Sequence, residues 1–329
     1  MDARWWLPPI TAFVISFFTS MVGISGAFLL LPVQISLMGL TGPAVSATNL
    51  VFNLIAIPSG VYRYWREKRI LWPLALIVVA GTTPGVIIGG FLRLSVLADA
   101  ERFKAFAGCV LLWVGWRMLG DILKPGKKSG APTNVQSEAG VRTLKFTARE
   151  LVFEFRQQSY RCKPGGIFVL SLVVGLIGGI YGIGGGAIIA PFFIAIFGLP
   201  VYTVAGATLL GTFATSLVGV GFYQSIAPFY QVHGMAVAPD WALGIRFGLG
   251  GIAGMYLGAR TQRFIPARYL KIMLAAILFG LSFAYIWGYL RMRPQLGYAV
   301  LLLVMAVFVC SWGKRRRRAK AESYKTTAR

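Results

Sequence analysis

The stretch from Gly175 to Phe193 reads GLIGGIYGIGGGAIIAPFF, and within it Gly182, Gly184 and Ala187 spell G-x-G-x-x-A. Glycines in that spacing let backbone amides approach a phosphate at the start of a helix. The dinucleotide version also needs an acidic residue about 20 positions on, and the next acid downstream is Asp240. No Gly-Lys-Ser/Thr follows, so the P-loop version fails as well. What remains for Gly184, Gly185 and Gly186 is simpler. A break in a helix uncovers N–H donors that suit a small anion and carry no titrating proton. Ser25, Gly26 and Ala27 form a second candidate of the same kind.

Polar side chains fall near both stretches. Thr48, Asn49 and Asn53 share one segment, with the asparagines four residues apart. Thr208 and Thr212 share another, followed by Thr215 and Ser216. At helical spacing each set lies on one face. Such groups either donate to a ligand or bond one helix to the next, and the sequence leaves both roles open. Arg246 lies in the apolar run from Trp241 to Leu257, six residues after Asp240. An arginine there faces a cavity on an anion pathway, or snorkels to the interface, or pairs with Asp240.

Other chemistry is missing. No Asp or Glu sits at the centre of an apolar stretch, so a carboxylate proton relay is not visible. His233 is the only histidine and lies beside Gly234 in a loop. Cys109, Cys162 and Cys310 are scattered, without C-x-x-C. That count argues against a disulfide framework or a zinc site. The expectation is therefore no metal, no cofactor, no Ser-His-Asp constellation and no enzyme.

The elements that hold these residues are apolar. The chain is 57% hydrophobic and 13% charged, against roughly 25% charged in a soluble domain. Apolar segments run over 5–38, 43–62, 70–92, 103–123, 165–198, 200–223, 240–259, 269–290 and 295–312. About 20 such residues cross a bilayer. The first segment is too long for a cleaved signal peptide. The net charge of +23 collects in loops and the tail, which reads as cytoplasmic positive charge facing anionic lipid heads and argues against nucleic acid.

The two halves match. Gly23 to Pro32 aligns with Gly182 to Pro191, Val45 to Leu50 with Ala205 to Leu210, and Pro84-Gly85 and Gly89 with Ala253-Gly254 and Gly258. Basic loops at 63–69, in the insert, at 260–271 and in the tail cannot all be cytoplasmic if nine segments each cross once. They can if 5–38 and 165–198 enter and leave on the same side. Both exceed one span, and both carry glycines near the middle with Pro32 or Pro191 after them. The predicted fold is an all-α polytopic membrane protein of two inverted repeats. Each repeat is a re-entrant or broken helix plus three transmembrane helices, and an additional C-terminal span follows. The predicted divisions are 1–123 for the first repeat, 124–164 for a cytoplasmic basic linker, 165–290 for the second repeat, 291–313 for the last span and 314–329 for a basic cytoplasmic tail. Within the linker, KPGKKSGAPTN is read as flexible and Arg149 to Arg161 as a short amphipathic helix on the membrane surface.

The paired G-x-G/S-G-(G/A)-x-x-x-x-P segments, the A-T-(N/L)-L segments and the later G-x-x-x-G segments, all duplicated, resemble the sulfite exporter TauE/SafE family. The resemblance covers about 1–123 and 165–290 and is less marked in the insert and last span. It implies a secondary transporter, most simply an exporter, of a small sulfur oxyanion or organosulfur acid across the bacterial cytoplasmic (inner) membrane. The N-terminus is then external and the C-terminus cytoplasmic. The expected binding residues are Ser25, Gly26, Ala27, Thr48, Asn49, Asn53, Gly184, Gly185, Gly186, Thr208, Thr212 and Arg246, with Pro32 and Pro191 marking the helix breaks. Ser25 and Ala27 depart from the glycines of the second half, which makes the two sites unequal. A passive anion channel and a membrane assembly protein using its basic insert are the alternatives.

Overall fold

The computed structural model describes residues 5–21, 25–40, 42–66, 70–123, 141–147, 149–155, 158–186, 188–197, 199, 201–231, 234–261 and 267–292. The 124–134 linker, His233, Cys310, the 295–312 segment and the basic tail lie outside them.

Among the described residues, ten helices and three strands follow in order. Helix α1 spans Leu7–Met21 and α2 Ala27–Leu37; α3 spans Pro43–Arg66, α4 Trp72–Ser95 and α5 Ala100–Leu123. The strands are β1 Arg142–Phe146, β2 Leu151–Phe155 and β3 Gln158–Cys162. Then come α6 Pro164–Tyr181, α7 Ala190–Phe197, α8 Val201–Gln231, α9 Trp241–Thr261 and α10 Ala267–Met292. Helices α3, α4, α6 and most of α8 are long and apolar enough to cross a membrane.

Local chemistry sets the ends. Proline opens α4 and α6 within their first two positions, where its missing N–H costs no hydrogen bond. Asp99 accepts from the Arg102 amide at 3.0 Å at the start of α5. Asp240 accepts from the Leu243 amide at 2.9 Å at the start of α9, so this carboxylate caps a helix. Helix α6 stops at Gly182, whose φ of +78° is left-handed. Both the Gly182 and Ile183 amides turn back onto the Gly178 carbonyl, at 2.8 and 3.0 Å. Gly184 is also left-handed, at φ +77°. Residues 182–186, 188 and 189 are therefore non-helical before α7 begins.

Helix pairing is duplicated between the halves. Helix α1 packs along α9, and α4 packs along α6. Helix α3 also packs on α9, α8 on α4, and the pairs α3–α8 and α5–α10 close the set. Exchanging α1–α5 for α6–α10 maps this list onto itself. The two largest crossings are backbone against backbone. A Cβ on Gly85 of α4 would lie 2.5 Å from the Leu172 carbonyl oxygen of α6. A Cβ on Gly254 of α9 would clash with the Phe13 carbonyl of α1. Gly81 and Gly89 repeat the contact on α6, and Gly250 and Gly258 repeat it on α1. Glycine at every fourth position lets such helices meet along their length.

The insert corrects the expectation of a helix at Arg149 to Arg161. Leu151–Phe155 and Gln158–Cys162 form β2 and β3, antiparallel to each other, with β1 on the other side of β2. The run Leu151-Val-Phe-Glu-Phe155 is rich in aromatic and β-branched side chains, which favour a pleated strand. Five residues are too few for periodicity to separate strand from helix. Phe153 stacks on its cross-strand partner Tyr160 at 5.3 Å. Leu151, Phe153, Phe155 and Cys162 are buried in the same apolar cluster as the helices. Burial pushes the Cys162 thiol up to a pKa of about 11.

Candidate functional site

Two stretches interrupt helices, and the structure brings them together. The first precedes α2 at Ser25 and Gly26; the second lies between α6 and α7 at Gly182 to Ile189. Helix α3 stands between them. The Asn49 side-chain amide donates to the Ala27 carbonyl at 3.0 Å and to the Gly182 carbonyl at 2.9 Å. One turn on, Asn53 donates to the Ile183 carbonyl at 2.8 Å and to Ser216 Oγ at 3.2 Å. Its own Oδ1 accepts from Ser25 Oγ at 2.7 Å. Both asparagines are fully buried, so these bonds satisfy carbonyls that water does not reach.

The second break is closed from α8. The Gly185 amide donates to Thr215 Oγ1 at 3.0 Å. A Cβ on Gly186 would clash with the Thr208 carbonyl and lie 2.6 Å from Thr212 Oγ1. A Cβ on Gly184 would lie 2.9 Å from Ser216 Oγ. Thr82 of α4 abuts Gly185. No side chain larger than hydrogen fits at these three positions without moving a neighbour.

Most of the expected site residues therefore converge. Ser25, Gly26, Ala27, Asn49, Asn53, Gly184, Gly185, Gly186, Thr208 and Thr212 line one buried region. Thr48 does not join it. Its hydroxyl donates to the Ala44 carbonyl at 2.8 Å and accepts from the Asp240 amide at 2.9 Å, tying α3 to the start of α9. Arg246 lies on the exposed side of α9, because the opposite faces carry the glycines that pack on α1 and α3. The amides expected to stand free are largely taken up within the breaks. Ala27 N donates to Ser25 Oγ at 3.3 Å, and the Leu29 and Leu30 amides donate to the Gly26 carbonyl at 3.1 and 3.0 Å.

The prolines act differently from one another. Pro191 sits in the first turn of α7, as a break marker should. Pro32 lies inside α2, and the break precedes it by five residues or more. Without an amide, Pro32 cannot bond the Phe28 carbonyl four residues back. The Tyr181 hydroxyl, from the end of α6, donates to that carbonyl at 3.4 Å instead.

Several side chains outside the expected set take part. Gln34 of α2 donates to Asn49 Oδ1 at 3.5 Å, and its Oε1 is buried without a partner among the described residues. Ser16 Oγ is likewise unpartnered and lies where a Cβ on Gly26 would point. A lone amide in the apolar run AFLLLPVQISL was the available signal for Gln34. Thr215 was marked by its place a turn beyond Thr212, whereas Thr82 and Tyr181 carried no comparable mark. Among the described residues no group of three or more His, Cys, Asp or Glu side chains comes together.

The arrangement is a neutral, buried cluster of hydroxyls and side-chain amides at the start of two short helices.

Comparison with known proteins agrees in kind. A family model described as Sulfite exporter TauE/SafE matches residues 9–285. A Bacillus subtilis (strain 168) protein named "Probable membrane transporter protein YunE" is 23% identical over 274 residues, covering 81% of this chain and 92% of the relative. A Xylella fastidiosa (strain 9a5c) protein named "Probable membrane transporter protein" is 23% identical over 279 residues, covering 83% of this chain and 92% of the relative. No solved structure gives a significant match.

Proposed function

Because this chain belongs to the sulfite exporter TauE/SafE family, a multi-pass membrane transporter family, we propose that it exports a small sulfur-containing anion, such as sulfite or an organosulfonate. The membrane is the bacterial cytoplasmic (inner) membrane, with the N-terminus external and the C-terminus cytoplasmic. The carrying observation is the bridge made by Asn49 and Asn53. Each side chain holds groups from both helix breaks at once. An anion placed between the breaks meets the Ser25, Thr212, Thr215 and Ser216 hydroxyls and the two side-chain amides. These are donors of the kind a sulfur oxyanion requires when it leaves water.

Two inverted repeats supply the framework. Each half has one broken helix and three further helices, α3–α5 and α8–α10. If each broken helix returns to its own side, three crossings turn the second half over relative to the first. The duplicated pairing of α1 with α9 and of α6 with α4 supports this reading. The basic ends of α3, at Arg63 and Arg66, and of α9, at Arg260, then face the cytoplasm together. Inverted repeats place their substrate at the interface of the halves, near the midplane.

The test is counterflow in proteoliposomes against sulfite, organosulfonates, thiosulfate, sulfate and chloride. Saturable exchange restricted to sulfur anions supports the proposal. Linear, unselective anion leak would replace it with a passive channel. An absence of exchange from folded protein would remove this substrate class.

A further inference from the structure

Among the described residues Arg93 is the largest fully buried side chain, 1% exposed, and it belongs to α4. Among the described residues no carboxylate pairs with it. Its Nε donates to Ser46 Oγ at 3.3 Å, and one terminal nitrogen donates to the Leu97 carbonyl at the end of its own helix. Its guanidinium carbon lies 3.8 Å from the centre of the Phe103 ring. A guanidinium has five N–H donors, and these contacts use two of them. A buried cation held only by neutral groups is costly unless an anion joins it.

A second buried polar group faces the same place. Tyr223 of α8 is 1% exposed, its hydroxyl has no hydrogen-bond partner among the described residues, and it shares a buried cluster with Leu94, the neighbour of Arg93 on α4. Ser46, the third member, is itself fully buried. It touches the second helix break directly: a Cβ on Gly182 would lie 2.6 Å from Ser46 Cα. Gly182 is the residue whose carbonyl Asn49 holds. Arg93 is thus separated from the paired breaks by one serine.

We propose that Arg93, Tyr223 and Ser46 form a second anion subsite, on the external side of the breaks, which takes a small oxyanion as it leaves. The assignment to transport rests on the proposed function. Its side follows from α4, which starts after the basic end of α3 and finishes beyond Arg93 on the opposite face. The Ser46 position is not repeated in the second half. The repeat counterpart of Ser46 is Gly206, which faces the apolar atoms of Tyr64 and Ile70. The two breaks are therefore chemically different at this position, and among the described residues the buried arginine stands behind the outer one. This polarity draws anions to the external side of the closed core.

The experiment measures thermal stabilisation of the detergent-purified full chain by sulfite and by sulfate, in parallel with sulfite counterflow. The variants are Arg93→Met and Tyr223→Phe, the second keeping the ring and removing only the hydroxyl. Either anion should raise the melting temperature of the unaltered protein by several degrees. The shift should vanish in Arg93→Met and fall to about half or less in Tyr223→Phe, while Tyr223→Phe elutes as a folded, monodisperse protein. An unaltered shift in both variants, or no shift in the starting protein, overturns the subsite. Arg93-dependent stabilisation without counterflow leaves the subsite standing and removes the transport reading. Counterflow with stabilisation indifferent to Arg93 does the reverse.

Discussion

Asn49 and Gly182 stand 133 residues apart, yet the Asn49 side-chain amide donates to the Gly182 carbonyl at 2.9 Å. The same nitrogen also holds Ala27 at the other break. One amide group thus fastens the two halves of the chain at their weakest helical points.

Replacing Asn53 with alanine removes its bonds to Ser25, Ile183 and Ser216 together. Buried polar groups left without partners cost about 1–3 kcal/mol each. The variant is expected to melt several degrees lower and to lose at least tenfold in sulfite counterflow. Asn49→Ala should behave alike, since it orphans Ala27 and Gly182. Thermal melts and initial exchange rates, compared with the unaltered protein, decide the matter.

Gly85→Ala and Gly254→Ala should be equally damaging, because each drives a methyl into a backbone carbonyl that has no rotamer to escape through. Gly221→Ala in α8 meets nothing within 4 Å, so its effect should stay within about 0.5 kcal/mol. Folded yield and melting temperature of the three variants provide the comparison. Similar values for Gly221→Ala and Gly254→Ala would contradict the backbone crossing.

Tyr181 and Pro32 should be coupled. Tyr181→Phe leaves the Phe28 carbonyl without its donor, a loss of about 0.5–1.5 kcal/mol. Pro32→Ala restores an amide that reaches the same carbonyl. In that background Tyr181→Phe should cost markedly less, and a double-mutant cycle on melting free energy measures the difference. Strict additivity would show that the hydroxyl does not serve that carbonyl.

Cys162 predicts a pH dependence in the insert. Burial disfavours its thiolate and raises the folded pKa to about 11 from an ordinary value of 9.0. The unfolded segment releases its proton first, so the sheet loses stability as pH rises from about 9 to about 11. At pH 8, alkylation of Cys162 followed by mass spectrometry should be far slower than that of a free thiol. Matching rates at that pH would exclude the buried position.

Much of this was legible because glycine and proline act through hard sterics. Three consecutive glycines before Pro191 do not continue a helix, and glycine at every fourth residue in 81–89 and 250–258 has one efficient use. The asparagines were legible as a pair on one face. Their partners were not, since a side chain's spacing says nothing about which distant carbonyl it reaches. Arg93 was hidden by its place. It falls one residue beyond the apolar segment 70–92 and so reads as a helix end meeting water. Only the packing of Ser46, Phe103 and Tyr223 around it makes it buried. The strands were missed for want of length. Arg246 stayed open between a cavity and the interface, because its apolar neighbours are shared between a protein face and an exposed one; it lies on the exposed side.

Helices usually lock by setting ridges of side chains into grooves. Where α4 meets α6 and α9 meets α1, glycine removes the ridge, and backbone lies on backbone. Such a seam resists separation along its whole length, and a shift of either helix by one residue would set a larger side chain against backbone where glycine now lies. The two seams therefore act as keyed joints, holding α1 to α9 and α6 to α4 in a single register.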